Sequence, residues 1–422
     1  MTSKSPVWHP FTQHAVQPEA IPIARGEGAW LEAADGRRIY DAISSWWVIT
    51  HGHRHPHIVQ AIKAQADKLD QVIFAGFTHE PAEKLARRLV EITPPELEYV
   101  FFSDSGSTSV EVALKMALGF WRHRGENRTR ILALQSAYHG DTIGGMSVGE
   151  RGVFNAPYDP LLFAVDRIPF PEQGREQMTL DALEAACAAG GVAALIVEPL
   201  ILGAGGMLIY PPAVLAEMQR ICARHDVLLI ADEVMTGWGR TGTRFACEQA
   251  GIAPDIACYS KGLTGGSLPL AVTLCRGDIF DAHYSPDRTR TFFHSSSYTA
   301  NPIACAAALA NLEVWDTEPV MQRIEALTAL QARKLDRFRA DARYANVRQL
   351  GTIAALDVVA GDAGYMANIG PSLYEAFRAR NLLVRPLGNT IYLMPPYCST
   401  EADLDLVYDA IDEIVGVTPA VS

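Results

Sequence analysis

Between residues 99 and 274 the chain returns repeatedly to one pattern: a short unbroken apolar run, then a polar or glycine-rich break. The runs fall at 99–102, 131–134, 192–197, 227–231, 256–259 and 270–274. Runs this short and continuous predict strands covered on both faces, because a half-exposed strand would alternate apolar and polar positions. Apolar positions at three- and four-residue steps predict helices at 57–69, 81–92 and 110–117, and a small-residue helix at 302–312. Strands alternating with helices predict an α/β fold with a large, doubly wound, mostly parallel sheet.

From about residue 314 the texture changes. An amphipathic helix is expected at 321–340, then strands at 347–351 and 355–359, a helix at 371–380, strands at 382–386 and 390–394, and a last helix at 400–415. Near the start, 29–32 and 37–40 read as a strand pair turning through Asp35-Gly36. Neither end is large enough to bury a core alone, so the expected organisation is a large domain at 56–315 and a smaller α+β domain built from 1–55 and 316–422.

Composition narrows the function classes. Hydrophobic residues make 49% and charged residues 20% of the chain, an ordinary globular balance. A net charge of −12 argues against nucleic acid or an anionic membrane as partner. No apolar run approaches the ~20 residues of a membrane span. The opening Met-Thr-Ser-Lys-Ser-Pro lacks the apolar core of a signal peptide, so a cytoplasmic location is expected. The seven cysteines are scattered without a CxxC, which predicts buried reduced thiols and no metal site.

The run 227–231 ends on Asp232-Glu233-Val234, and the run 256–259 is closed by Ser260-Lys261-Gly262. Ligands of open α/β sheets bind beyond the carboxyl ends of strands, where both Asp232 and Lys261 are placed. An acid and a lysine at neighbouring strand ends are what a pyridoxal phosphate site needs: an amine to form the imine and a carboxylate to keep the ring nitrogen protonated. Taken singly, a lysine is usually a solvated surface group and a strand-ending aspartate often a cap. Further along, 99–102 leads through Ser105-Gly106-Ser107-Thr108 into a helix, a turn that can hold phosphate or simply cap the helix. The run 131–134 leads to Tyr138-His139-Gly140-Asp141, and 192–197 to Glu198-Pro199 and the loop Gly203-Ala204-Gly205-Gly206.

With these features assembled, the chain resembles the class III aminotransferases of pyridoxal phosphate fold type I over essentially its whole length. Trp8-His9-Pro10, Ser45-Trp46-Trp47, Tyr138-His139-Gly140-Asp141-Thr142, Gly203-Ala204-Gly205-Gly206-Met207, Arg385-Pro386 and Tyr392-Leu393-Met394-Pro395-Pro396-Tyr397 look like the branch of that class that works in biotin synthesis. The resemblance implies a homodimer with shared active sites that moves an amino group from S-adenosylmethionine to 8-amino-7-oxononanoate. Lys261 would hold the cofactor covalently and shuttle the proton. Asp232 would pair with the ring nitrogen, and Val234 and Tyr138 would cover the ring faces. Gly106 and Ser107 would bind the phosphate, with Ser296 and Ser297 completing the cup from the neighbouring subunit. Phe11, Trp46, Tyr138, Asp141, Arg240, Lys261 and Ser295 would line the substrate pocket, and Arg385 would grip the far carboxylate of the oxononanoate.

Two positions depart from that branch. Phe11 stands where a tyrosine is typical, and Leu202 where a glutamine is usual. Relatives with Phe at the first position are expected to use lysine as amino donor, which is the nearest alternative. A broader one is an ω-amino acid or diamine aminotransferase of the same class, against which Trp46-Trp47 and Ala204 weigh. A non-catalytic binding protein on an old enzyme fold is the alternative from another class; a yellow holoprotein that loses its colour as Lys261→Ala excludes it.

Overall fold

The computed structural model of the protein describes residues 5–417, so residues 1–4 and 418–422 of the expected small domain lie outside the described residues. Its centre is a seven-stranded sheet in the order Leu97–Ser103, Ala271–Arg276, Ile256–Tyr259, Leu228–Asp232, Val192–Val197, Arg130–Leu134, Asp166–Ile168. All six expected strands are present, and Asp166–Ile168 adds an edge. Every strand runs parallel except Ala271–Arg276, which is antiparallel to both neighbours. Its link from Ile256–Tyr259 is too short for the helical crossover that a parallel return requires. Val192–Val197 is buried at every position, which is why it reads as a continuous apolar run.

Side chains leave the sheet alternately and build two cores. Leu132, Leu195, Val197 and Leu229 meet Leu183, Leu215 and Met218 from helices Glu176–Ala188 and Pro212–Arg224. On the other face Ile131, Ala194, Ile196 and Ile230 meet Val110, Ala113 and Phe120 from helix Gly106–His123. Each such fully buried aliphatic side chain contributes about 1.5–3 kcal/mol, so the sheet is a stiff platform for residues at its strand ends.

The two ends of the chain share a sheet. Ile23–Glu27, Trp30–Ala33 and Arg38–Asp41 form a meander, and Leu382–Leu383 pairs parallel with Arg38–Asp41. The strand expected at 382–386 is thus cut to two residues, and Arg385 lies beyond its end. Tyr344–Leu350, Ile353–Val358 and Thr390–Leu393 make a separate antiparallel sheet. The glycine-rich loop after Glu198 forms a small hairpin, Ile201–Leu202 with Leu208–Ile209, that the sequence pattern did not announce. All seven cysteines are free thiols, and only Cys398 is not fully buried. No helix among the described residues is long and apolar enough to cross a membrane, and they contain no cluster of His, Cys, Asp or Glu able to hold a metal.

Candidate active site

Asp232 is the last residue of its strand, and in the adjacent parallel strand its partner is Cys258, three residues before Lys261. Acid and lysine therefore leave neighbouring strand ends on the same edge of the sheet. One carboxylate oxygen of Asp232 accepts from the Val234 N–H at 3.1 Å, and the other meets His139 Nδ1 at 2.7 Å. The pair is buried, and His139 Nε2 has no hydrogen-bond partner. Glu198, at the end of the next strand, accepts from the Tyr138 N–H at 2.9 Å and the Gly203 N–H at 2.8 Å. Burial pushes its carboxyl up to about 7, helped by Asp232 and opposed by His139.

Burial also pulls the Lys261 amine below the ordinary lysine range, with Arg240 assisting and Asp232 and Glu198 opposing. The Lys261 Nζ lies 5.2 Å from the centre of the Trp47 ring. A desolvated amine whose pKa burial has lowered is chemically suited to attack a carbonyl.

Across the pocket Ser105 opens helix Gly106–His123 with a reciprocal capping box: its side chain accepts from the Thr108 N–H, and Thr108 Oγ1 accepts from the Ser105 N–H. The cap is therefore Ser105, the first residue of the turn. Gly106 and Ser107 thus hold the first two helical N–H groups, which lack intrahelical acceptors and face outward with the positive end of the dipole. The space is tight: a Cβ on Gly106 would meet Val234 Cγ1 at 2.6 Å, and one on Gly140 would meet Ser107 Oγ at 1.9 Å. Ser107 Oγ accepts from the Asp141 N–H at 3.1 Å. Burial, then the Asp141 carboxylate, holds the Tyr138 phenol protonated.

A second group gathers around Arg385. Arg385 donates to the Phe11 carbonyl at 2.8 Å, and its guanidinium lies 5.4 Å from the centre of the Trp46 ring. Phe11 packs on Trp46 at 5.5 Å between ring centres. Trp46 belongs to a turn in which Ser44, Ser45 and Trp47 all take left-handed backbone, with φ of 53°, 60° and 67°. That conformation is unfavourable for residues with a side chain. Asp41 holds it, accepting from the Ser45 N–H at 2.7 Å, the Ser45 hydroxyl at 2.9 Å and His53 Nε2 at 2.8 Å. Arg240 is fully buried and donates to the carbonyls of Pro395, Trp47 and Ile49 at 3.0, 3.3 and 2.9 Å. It braces the tryptophan turn from behind.

Ser295 and Ser297 are exposed. The Ser296 hydroxyl bonds Asp104, just before the Gly106 helix, and the Ser297 carbonyl accepts from Gln71 at 2.8 Å. Within one chain these serines flank the turn that precedes the phosphate-type helix end. Sequence reasoning gave no role to His139, Glu198, Trp47, Asp41 or Asn311. His139, inside the Tyr138–Asp141 motif, Trp47, inside Ser45-Trp46-Trp47, and Glu198, ending a buried run, carried a local signal; Asp41 and Asn311 carried none.

Comparison with known proteins settles the class. The family model described as aminotransferase class-III matches residues 11–415. The chain belongs to the class III aminotransferases. These are pyridoxal phosphate enzymes, and the transamination expected of the resemblance stands. The adenosylmethionine-8-amino-7-oxononanoate aminotransferase of Synechococcus elongatus is 49% identical over 98% of this chain and 99% of its own length. The enzyme of that name from Geobacter sulfurreducens is 40% identical over 97% and 95%. The crystal structure of the Methanocaldococcus jannaschii enzyme of that name superposes with a TM-score of 0.93 at 34% identity, covering 98% of this chain and 97% of that one. A pyridoxal phosphate-bound amine transaminase from an uncultivated Pseudomonas species superposes at 0.91, with 33% identity and 99% of both chains covered.

The residues present fit that cofactor. Asp232 is a buried carboxylate beside an amine, the orphaned His139 Nε2 marks a polar pocket, and Gly106 and Gly140 leave a cradle that a Cβ would fill.

Proposed function

We propose that this aminotransferase transfers an amino group from S-adenosylmethionine to C7 of 8-amino-7-oxononanoate, giving 7,8-diaminononanoate, as the names of its relatives describe for them. The observation that carries the substrate reading is the mouth formed by Phe11, Trp46 and Arg385: an apolar wall ending in a guanidinium suits a long aliphatic chain that ends in a carboxylate.

Pyridoxal phosphate supplies an electron-accepting ring that stabilises negative charge on the substrate carbon next to nitrogen. The chain's residues supply the rest. Lys261 Nζ takes the proton from the donor's α carbon and later delivers one to C7 of the acceptor, a task for an amine whose pKa burial has lowered. Asp232, oriented by the Val234 N–H and His139, holds a proton on the ring nitrogen. Val234 and Tyr138 enclose the ring and exclude water. Gly106 and Ser107 donate to the phosphate. Asp141, beside Tyr138, attracts a cationic donor, Arg385 grips the acceptor's carboxylate, and Arg240 keeps the Trp46–Trp47 turn in place. The net exchange balances: the donor amine becomes a ketone as the acceptor ketone becomes an amine.

The large unit at 56–315 holds the cofactor residues, and 1–55 with 316–422 forms the smaller one, a division supported by the shared Arg38–Asp41 and Leu382–Leu383 pairing. The active form is a cytoplasmic homodimer in which Ser296 and Ser297 complete the neighbouring subunit's phosphate site. Exposed Phe77, Phe293 and Tyr298, at 63%, 69% and 64%, support that assembly. Lysine as donor is the second reading, favoured by the absence of a hydroxyl on Phe11. Incubating the enzyme with the oxononanoate and each donor, and quantifying the diamine, tests both. Diamine from S-adenosylmethionine supports the proposal; diamine from lysine alone transfers it to the second reading, and none from either overturns it.

A further inference from the structure

Lys261 takes a left-handed backbone, φ 46°, which is unfavourable for a residue with a Cβ and needs external support. The support comes from a helix far away in sequence. Asn311, fully buried on helix Pro302–Thr317, donates from Nδ2 to the carbonyls of Gly262 at 3.1 Å and Leu263 at 3.0 Å, in the two residues that follow the lysine. Its Oδ1 meets His51 Nε2 at 2.9 Å. Both backbone carbonyls need a donor, so the amide has one workable orientation, and His51 must carry its proton on Nε2. Burial pulls the His51 pKa down to about 4, so the ring stays neutral and keeps that tautomer at working pH. The groups facing His51 are His55, Glu318 and Arg323, and its ring is wedged edge-on against Trp315 and Tyr397.

The loop has no slack. A Cβ on Gly262 would meet Trp238 Cβ at 2.7 Å, and one on Gly265 would meet Ile58 Cδ1 at 2.7 Å and Asn311 Oδ1 at 3.3 Å. We propose that Asn311, oriented by His51, is a positioning residue that locks the Lys261 backbone and so aims the amine at the pocket of Asp232 and Glu198. Asn311 acts on the lysine through the two carbonyls. The inference rests on Lys261 being the cofactor lysine, the reading made above.

The test uses cofactor-free full-length protein and pyridoxal phosphate alone. Uptake is followed by absorbance across pH, with attachment at Lys261 confirmed by mass spectrometry after reduction. The groups that face the amine and set its titration are Asp232, Glu198 and Arg240. Asn311→Ala should slow uptake by about tenfold and move its pH midpoint upward, because a loosened amine regains water and its proton. His51→Gln, whose side-chain nitrogen can replace Nε2 as donor, should behave like wild type, whereas His51→Leu should be slowed. Gln331→Ala is the stability control: equally buried, Gln331 donates to the Thr352 carbonyl at 2.6 Å and accepts from the Tyr408 hydroxyl at 2.9 Å. It should lower stability and leave uptake unchanged.

Wild-type uptake and pH midpoint in Asn311→Ala would overturn the proposal, as would equal slowing in Gln331→Ala. If Asn311→Ala does not fold, the contrast between His51→Gln and His51→Leu decides in the same way. Wild-type protein that takes up no cofactor at Lys261 would instead refute the functional reading beneath it.

Discussion

Glu198 gives the sharpest electrostatic prediction. Its carboxyl is fully buried and has a folded pKa of about 7 against an ordinary 4.5. A raised folded pKa means that the folded state holds the proton more tightly than the unfolded chain does. The stability this contributes is complete below about pH 4.5 and is lost as pH rises to about 7. Integrated from pH 5 to 8, the loss is on the order of 2–3 kcal/mol. Glu198→Gln removes the titration. It also places an amide NH₂ where a carboxylate oxygen now accepts from the Tyr138 or Gly203 N–H, so one donor is left unpaired at every pH. In urea unfolding of the cofactor-free protein at pH 5, 6, 7 and 8, the wild-type advantage over the variant should therefore shrink steadily with rising pH, by roughly 2–3 kcal/mol across the series. Titrating groups remote from Glu198 are common to both proteins and cancel. Parallel stability curves for the two proteins would refute the reasoning and place an ionised Glu198 in the folded pocket throughout.

Gly106→Ala should push Val234 into the cofactor space, since the new Cβ starts 2.6 Å from its Cγ1. Cofactor affinity, read by dialysis and absorbance, should fall about tenfold or more, with recovery in the Gly106→Ala/Val234→Ala double variant. Arg385→Lys keeps the charge but loses the planar fork and its stacking on Trp46. The KM of the oxononanoate should rise on the order of tenfold to a hundredfold while the donor KM stays put, which steady-state kinetics checks. Asp41→Asn puts an NH₂ among three donors, so either the Ser45 N–H loses its acceptor or Ser45 Oγ and His53 Nε2, which share one oxygen, both do. Urea unfolding should show a cost of about 1–3 kcal/mol, and the released Trp46–Trp47 turn should raise KM for the oxononanoate.

Much of the fold is legible in the sequence because parallel strands buried on both faces can only be written as apolar runs. Val192–Val197 and Leu228–Asp232 are the clearest, and the polar residues that end such runs fall automatically on the ligand-binding edge. Asp232 and Lys261 are therefore visible as neighbours before any coordinates exist. Pairings that join distant segments are not visible. A strand at 382–386 is expected from the sequence, but nothing local signals that Leu382–Leu383 completes a sheet begun by the first strands of the chain. The reversed direction of Ala271–Arg276 was readable in principle, from the short link that precedes it.

The supports of the site were hidden for a related reason. His139 reaches Asp232 across 93 positions, and Asn311 reaches Gly262 across 49. The left-handed backbone at Ser44, Ser45 and Trp47 is imposed by Asp41 and Arg240 on residues with no intrinsic preference for it. A glycine there would have signalled the turn; serine and tryptophan do not.

Reduction of the pyridoxal phosphate-loaded protein with borohydride, followed by proteolysis and peptide mass spectrometry, tests the central assignment most directly. A single phosphopyridoxyl group on the peptide containing Lys261, absent from Lys261→Ala, is the expected result. A stable adduct on Lys115 or any other lysine, or none at all in protein that still transfers amino groups, would contradict it.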